Sequence, residues 1–155
     1  VKKTGYPGMK ILLFAFDSRD TGSASDYLPH NYIPNSVVYT GTHDNATLTG
    51  WFQDISAEER QMVRNYLNNQ KDSDEEIYWD MVCTAMGSVS KLCVIPMQDY
   101  FGYGNETRIN QPSTLGKNWK WRMTESDMSK ELIQAIFDVT ALYGRRAWHE
   151  QNKNK

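Results

Sequence analysis

Short runs of consecutive apolar residues alternate with amphipathic helical patterns along this chain of 155 residues. The apolar runs are Met9 to Phe16, Val37 to Thr40 and Lys91 to Ile95, each bounded by Gly, Pro or polar residues. Strands that are buried on both faces have this pattern, because apolar residues do not alternate with polar ones. We therefore predict three strands of a parallel sheet, each buried on both faces.

Two amphipathic helices are predicted between the last two strands, and a third at the end of the chain. A Ser followed three residues later by a Glu is a capping box, so Ser56 with Glu59 and Ser73 with Glu76 predict two helix starts. The third helix is predicted from Met128 to Trp148. Its apolar stripe contains Leu132, Ile133, Ile136, Phe137, Thr140 and Tyr143.

The order of these elements is that of an α/β fold, but the strands are too few to complete one. A strand that is buried on both faces is not expected at the open edge of a sheet, because the unpaired backbone groups of an edge strand bind strands of other chains. We therefore predict the C-terminal part of a larger barrel or doubly wound sheet, comprising residues 1–149, with 150–155 as a disordered polar tail. Such a fragment is expected to self-associate or to pair with the missing N-terminal part of its barrel.

Charge and composition exclude several kinds of partner. The chain has 19 acidic and 17 basic residues, so its formal net charge of -2 does not favour nucleic acid. No apolar run approaches the ~20 residues that span a bilayer, so no membrane partner is expected. Cys83 and Cys93 suit reduced, buried thiols in a cytoplasmic protein. His30, His43 and His149 lack metal-ligand spacing, and we expect neither a metal nor a cofactor.

The densest polar cluster, Gly41 to Asn45, follows the second predicted strand. Binding sites in β/α folds form at the carboxyl ends of strands. The imidazole of His43 can donate hydrogen bonds and the carboxylate of Asp44 can accept them, a combination that suits sugar hydroxyls. The alternative is a capped turn between strand and helix, in which Asp44 or Asn45 binds only backbone amides.

A second set of candidates lies between Gln98 and Arg122, a segment rich in Gly, Asn, Pro and aromatic residues that predicts a structured loop. An indole has a flat apolar face and a donor at its rim, which match the C–H face and the hydroxyl edge of a pyranose. Trp119 and Asn110 therefore suggest carbohydrate binding, and Gln98 adds a polar group at the end of the third strand. The alternative is that Trp119 and Trp121 seal a core and that Arg122 makes a structural pairing.

Several motifs, taken in order, resemble the 4-α-glucanotransferase family, also called amylomaltase or disproportionating enzyme. They are PGMK followed by LLFAF, then LPHNY, VVYTGTHDN with Gly50-Trp51, PMQDYFGYG, RINQPST and NWKWR. The resemblance extends from Gly5 to Arg122. It implies a partial (β/α)8 TIM barrel, in which this chain supplies strands six to eight with their helices as the C-terminal third of the catalytic barrel.

The resemblance also implies a reaction. Family members are retaining transglycosylases that transfer α-1,4-glucan segments between maltooligosaccharides through a covalent intermediate. Asp44 matches the carboxylate that stabilises the transition state, His43 lies beside it, and Asn110 matches a sugar-contacting residue. The predicted substrate-binding residues are His43, Asn45, Gln98, Asn110 and Trp119.

The nucleophile and the acid/base of this family precede the strand that begins at Met9, so neither position occurs in the chain. The resemblance therefore implies an enzyme as the full-length protein and an inactive fragment in isolation. Two alternatives stay open at this point: a non-catalytic carbohydrate-binding or assembly domain, and a fragment of another α-glucan hydrolase. The segments RINQP and NWKWR argue against the hydrolase.

Overall fold

A single parallel sheet organises the first part of the chain. The computed structural model describes residues 5–18, 24–71 and 73–146. Its strands lie in the order β1 (Gly8–Ile11), β2 (Ser36–Tyr39) and β3 (Leu92–Val94), so β2 is the central strand. All pairs are parallel. This confirms the α/β class and the parallel sheet, and it aligns the carboxyl ends of the strands along one edge.

The first strand is shorter than its apolar run predicts. β1 ends at Ile11, and Leu12–Phe16 form a 3-10 helix. Within that helix only Phe14 is exposed. A 3-10 helix that is surrounded by other elements buries consecutive residues, and so does a strand that is buried on both faces. A run of apolar residues therefore does not distinguish the helix from the strand. The prediction of a strand from Met9 to Phe16 is therefore wrong beyond Ile11.

The predicted burial of every strand on both faces is also wrong. Met9 of β1 is 56% exposed, and Leu92 and Val94 of β3 are 54% and 38% exposed. In β2, by contrast, Ser36 and Val38 are fully buried. The two outer strands each pair on one side only, and apolar side chains on them stay uncovered among the described residues.

Three helices connect β2 to β3: α1 (Leu48–Asp54), α2 (Ala57–Leu67) and α3 (Ile77–Met86). The sequence predicts only two of them. α1 is missed because it is a short helix that directly follows the polar cluster, and its start depends on Thr47, whose hydroxyl accepts a hydrogen bond from the amide of Gly50.

The two predicted capping boxes have different outcomes. At α2 the box is confirmed, since the Ser56 hydroxyl accepts from the Glu59 amide and the Glu59 carboxylate accepts from the Ser56 amide. At α3 the prediction is wrong, because the helix begins after Glu76 with no side-chain cap. Ser73 instead accepts from the amide of Glu75 in a local turn.

The central strand and these helices supply the core of residues 5–122. α3 contacts α1, α2 and a further short helix, α4 (Met97–Phe101), which follows β3. α4 lies inside the segment predicted as a loop, and a 3-10 turn at Asn105–Thr107 follows it. The largest fully buried apolar side chains are Leu12, Val38, Leu48, Val63, Ile77, Met81 and Val82.

The remainder of the chain, from Met123, forms a second compact unit. It contains α5 (Lys130–Leu142), which begins after Ser129, whose hydroxyl accepts from the amide of Leu132. The helix predicted to end at Trp148 therefore ends at Leu142, and Gly144 follows with a positive φ of 66°. Trp148 and the predicted tail 150–155 lie outside the described residues.

Candidate functional site

The polar cluster lies directly beyond the central strand and leads into α1. Its backbone turns at Thr42, whose carbonyl accepts from the amide of Asn45 at 3.0 Å. The side-chain oxygen of Asn45 accepts from both the amide and the hydroxyl of Thr42, at 2.8 Å each. These bonds stabilise the turn in the way that the capped-turn alternative describes. They leave only the amide nitrogen of the Asn45 side chain for other partners.

Asp44 projects from this turn and is partly accessible, with its side chain 47% exposed. Its Oδ1 accepts from the side-chain amide of Asn110 at 2.6 Å and lies 3.3 Å from Nε2 of His43. Its Oδ2 makes no hydrogen bond with any of the described residues. The carboxylate is therefore oriented through one oxygen and open through the other, which can accept hydroxyl groups.

Arg108 and Asn110 join the loop after α4 to the loop after β2. The Arg108 guanidinium donates to the carbonyl of Asp44 at 2.6 Å and to the carbonyl of Asn110 at 2.9 Å. The amide of Asn110 donates to the carbonyl of His43 at 3.1 Å. Both backbones are thus fixed before any ligand binds, which preorganises the carboxylate. The sequence groups Arg108 with the second cluster but does not predict this role.

Trp119 lies across the predicted site and does not seal a core. Its ring centroid is 5.2 Å from that of His43, its side chain is 56% exposed, and its amide donates to the carbonyl of Ile109 at 2.7 Å. Its φ is 65°, a left-handed conformation that costs a residue with a side chain about 1–2 kcal/mol. Arg122 donates to the carbonyls of Trp119 and Trp121, the structural pairing expected as the alternative.

Asn118 closes the loop that carries Trp119. Its Oδ1 accepts from the amide of Gln111 at 2.9 Å, and its Nδ2 donates to the carbonyl of Thr114 at 3.0 Å. Because these bonds link the two ends of the turn, the segment is ordered by its own side chains. The predicted structured loop is present from Arg108 onwards.

Gln98 lies deeper than the other predicted site residues. It is buried, and its amide donates to the carbonyl of Thr107 at 3.1 Å. With His43, Asn45 and Arg108 it lines a small cavity of about 110 Å³. Gln98 therefore lies beside three residues of the polar loops, and its hydrogen bond in this structure is with backbone.

Asp99 belongs with Gln98 and Tyr100 to the polar segment that the sequence marks at the end of the third strand as a further candidate site, but the sequence does not predict its partners. Its carboxylate is buried and accepts from the hydroxyl of Thr40 at 2.5 Å and from the amide of Leu48 at 2.8 Å. Burial raises the pKa of Asp99 to about 6, while the two hydrogen bonds act to lower it. The Gln98-Asp99 pair at the end of β3 is the signal in the sequence, but its partners lie far away in the chain.

Metal binding has no support in this part of the molecule. Across residues 5–18, 24–71 and 73–146, no group of three or more His, Cys, Asp or Glu residues is placed to bind a metal ion. Cys83 and Cys93 are not joined in a disulfide, and both are half-buried, where the sequence predicts buried thiols.

Comparison with known proteins identifies the family. The family model described as 4-alpha-glucanotransferase matches residues 1–128. The 4-alpha-glucanotransferase of Clostridium butyricum is 45% identical over 146 residues, which cover 93% of this chain and 29% of that protein. The chloroplastic/amyloplastic 4-alpha-glucanotransferase of Solanum tuberosum is 42% identical over 142 residues, covering 90% of this chain and 24% of that protein.

A solved structure gives the same result for the fold. The amylomaltase from Streptococcus agalactiae, in complex with acarbose, superposes with a TM-score of 0.85 at 35% identity, covering 94% of this chain and 29% of that one. The chain thus spans less than a third of the length of these relatives. Motifs, fold and sequence similarity agree, and the chain belongs to the 4-alpha-glucanotransferase family.

Proposed function

We propose that the full-length protein containing this chain is a 4-α-glucanotransferase that moves α-1,4-glucan segments between maltooligosaccharides. Family membership supports this reaction, and the acarbose complex of the Streptococcus agalactiae amylomaltase supports a sugar-like ligand. The observation that carries the proposal is the Asp44 carboxylate at the carboxyl end of the central strand. Asn110 holds one of its oxygens, and the other is open towards solvent.

Asp44 is proposed to stabilise the transition state of glycosyl transfer. A sugar ring flattens as its glycosidic bond breaks, so hydrogen bonds from its hydroxyls to a fixed carboxylate tighten in the transition state. Because Asn110 and Arg108 hold Asp44 in place, little reorganisation is needed when these bonds form. His43 lies beside the carboxylate and its ring lies near that of Trp119, and we propose that both side chains contact the bound sugar.

Asn45 and Gln98 each have only one polar side-chain atom left for a substrate. The oxygen of the Asn45 side chain is used within its turn, so only its amide nitrogen can donate to a hydroxyl. Gln98 is buried and donates to a backbone carbonyl. We propose that it supports the floor of the site and reaches a deeply bound hydroxyl only through its free carbonyl oxygen.

The chain is proposed to supply strands six to eight of a (β/α)8 barrel. The parallel sheet supports this, as do the uncovered apolar side chains of Met9, Leu92 and Val94 on its outer strands. The nucleophile and the acid/base would then come from preceding strands. The isolated chain is therefore expected to be inactive and to associate with itself or with the rest of the barrel.

Asp44→Asn in the full-length enzyme tests the role of the carboxylate. The substitution keeps the shape but removes the charge, and we expect a loss of transition-state stabilisation on the order of 3–5 kcal/mol, or roughly 10²- to 5 × 10³-fold in kcat. The measurement is the rate of maltotriose disproportionation. Asp138→Asn is the matched control, because Asp138 is exposed on α5 and an Asn there still accepts from Gln134.

Turnover of maltotriose by Asp44→Asn at a rate near that of the wild type would show that the assignment is wrong. A separate measurement tests the requirement for the missing carboxylates. The isolated 155-residue chain should form no product from maltooligosaccharides above background. Product formation by that chain would contradict the proposed division of the barrel.

A cytoplasmic location is proposed from the two cysteines, which are not joined in a disulfide. Within the described ranges, no helix is long and apolar enough to cross a membrane. The relative from Solanum tuberosum is named as chloroplastic/amyloplastic. The cytoplasmic location expected from the sequence stays a prediction, and fractionation of the cells that make the protein tests it.

A further inference from the structure

The loop that carries His43 and Asp44 is fastened at both ends by one side chain. Residues 41–47 connect Thr40, at the end of the central strand, to Leu48, the first residue of α1. Oδ2 of Asp99 accepts from the Thr40 hydroxyl at 2.5 Å, and Oδ1 accepts from the Leu48 amide at 2.8 Å. Thr40 is fully buried, and Leu48 and Asp99 are almost so. The carboxylate therefore closes the base of the loop out of contact with solvent.

We propose that Asp99 is a positioning residue that holds Asp44 in its reactive orientation by fixing both ends of the 41–47 loop. The inference rests on the proposed function, because it assigns Asp99 a part in the same glycosyl transfer. Asp99 does not touch the open oxygen of Asp44, so it acts through the loop.

A carboxylate suits this position better than any other side chain of its size. Both of its oxygens accept, and each faces a donor, the hydroxyl of Thr40 and the amide of Leu48. An Asn would offer an acceptor to only one of them. Burying a charge is unfavourable, and the raised pKa of Asp99 reflects that cost. The buried carboxylate of Asp99 is therefore explained by its two hydrogen bonds and not by packing alone.

The interior of the loop transmits the position of its ends to Asp44. Thr42 and Asn45 are joined by three hydrogen bonds, so the turn between them moves as one body. On the far side, Arg108 and Asn110 bind the backbone and side chain of Asp44. Release of the loop base would let the turn rotate about that contact, and an error of 1 Å in a reacting group can lower a rate by about 100-fold.

Variants at Thr40 in the full-length enzyme test the proposal. Thr40→Val keeps the shape of the side chain and removes the hydroxyl, whereas Thr40→Ser keeps the hydroxyl. We expect Thr40→Val and Asp99→Asn to lower kcat about 10- to 100-fold with KM for maltotriose changed less than about twofold. Thr40→Ser is expected to retain most of kcat. The double variant of Thr40→Val with Asp99→Asn should fall no further than the more impaired single variant.

Rates are normalised to the folded fraction, measured by circular dichroism at the assay temperature. An unchanged kcat per folded enzyme, with only a lower melting temperature, would show a merely structural role and overturn the inference. So would a loss in Thr40→Ser equal to that in Thr40→Val. If Asp99→Asn does not fold, the two Thr40 variants decide the question.

The same assay separates this inference from the proposed function. Absence of transfer by the wild type would remove the proposed function and the inference with it. Full activity of Asp44→Asn would remove the role of Asp44 on which the inference rests. An inactive Asp44→Asn together with wild-type kcat in Thr40→Val and Asp99→Asn would overturn the inference alone.

Discussion

One amide side chain sets the direction of the Asp44 carboxylate. Asn110 donates to Oδ1 at 2.6 Å across a separation of 66 residues in the chain. Hydrogen bonds to a charged group contribute about 1.5–3 kcal/mol, more than those between neutral groups. Because the bond uses Oδ1, Oδ2 is the Asp44 oxygen that is left to accept hydrogen bonds from a ligand.

Asn110→Leu removes the donor at nearly constant volume. In the full-length protein the carboxylate then loses its orientation. Under the proposed function we expect kcat for maltotriose to fall roughly 10- to 100-fold, as the loss of about 1.5–3 kcal/mol implies. Asn65→Leu, at an exposed position of α2, is the control and should change kcat less than about twofold. Equal rates in the two variants would mean that Asn110 does not orient the carboxylate.

A second prediction at this scale concerns Asp99 and pH. Burial raises its pKa from 3.8 to about 6, so between these values the folded protein binds a proton that the unfolded chain has released. The stability of the folded state therefore falls as pH rises through this window, by about 3 kcal/mol for the whole shift. Below pH 3.8 both states hold the proton, and the effect is absent.

Asp99→Asn removes this titration. Between pH 4 and pH 7 the wild type should therefore lose up to about 3 kcal/mol more stability than the variant does. Urea unfolding of the full-length protein at both pH values measures the difference. Parallel pH profiles for the two proteins would show that Asp99 titrates normally in the folded state.

At the scale of elements, α4 ends in a position that only glycine fits. Gly102 has a φ of 68°, and a Cβ on it would lie 2.7 Å from the ring of Tyr78 in α3. Its carbonyl accepts from the hydroxyl of Thr49 in α1 at 3.0 Å. The end of α4 is thus packed against two other helices, and this places Asp99 beneath the 41–47 loop.

Gly102→Ala is expected to destabilise the protein by about 2–5 kcal/mol, the sum of left-handed strain and overpacking. Gly116→Ala is the control, because Gly116 also has a positive φ, 99°, but no atom lies within 4 Å of the added methyl. It should lose only about 1–2 kcal/mol through strain. Thermal unfolding compares the two, and an equal loss would contradict the close contact with Tyr78.

The sequence predicts a helix start correctly where neighbouring residues determine it, and incorrectly where contacts with distant residues determine the local structure. The capping box of Ser56 and Glu59 lies within four residues, and the sequence places α2 correctly. At Ser73 the same pattern fails, because Arg64 donates to the carbonyl of Ser73 and pairs with Asp74, which holds this segment in a turn. Tertiary contacts here override the local preference.

In the candidate site too, the local features could be predicted from the sequence and the long-range contacts could not. Its position beyond a strand and the pair of His43 and Asp44 are local features that the sequence contains. The contacts that orient it, from Asn110 and Arg108 to Asp44 and from Asp99 to Thr40, join residues more than fifty positions apart. No spacing rule connects such pairs, so only the fold reveals them.

At the scale of the whole molecule, the sheet is open at both sides. β1 and β3 each pair with β2 alone, and Met9, Leu92 and Val94 expose apolar side chains on them. Open parallel edges with apolar side chains bind other strands. Among the described residues, no further strand pairs with either edge.

The isolated 155-residue chain should therefore elute from a sizing column as a species larger than its 17.9 kDa monomer. Leu92→Lys places a charge on the open strand and should shift the chain towards the monomer. Val89→Lys adds the same charge at an equally exposed position before the strand, 56% against 54%, and should leave the elution unchanged. A wild-type chain that elutes only as a monomer would show that the open sheet does not mediate self-association.

The shared direction of the three strands has a consequence for reassembly. Any strand that adds in parallel to β1 or β3 brings its carboxyl end to the rim where Asp44 lies. A slip of one residue in that pairing would turn every side chain of the new strand to the opposite face. In a split enzyme made from separately produced halves, glucan transfer on mixing would therefore report the register of the rejoined barrel.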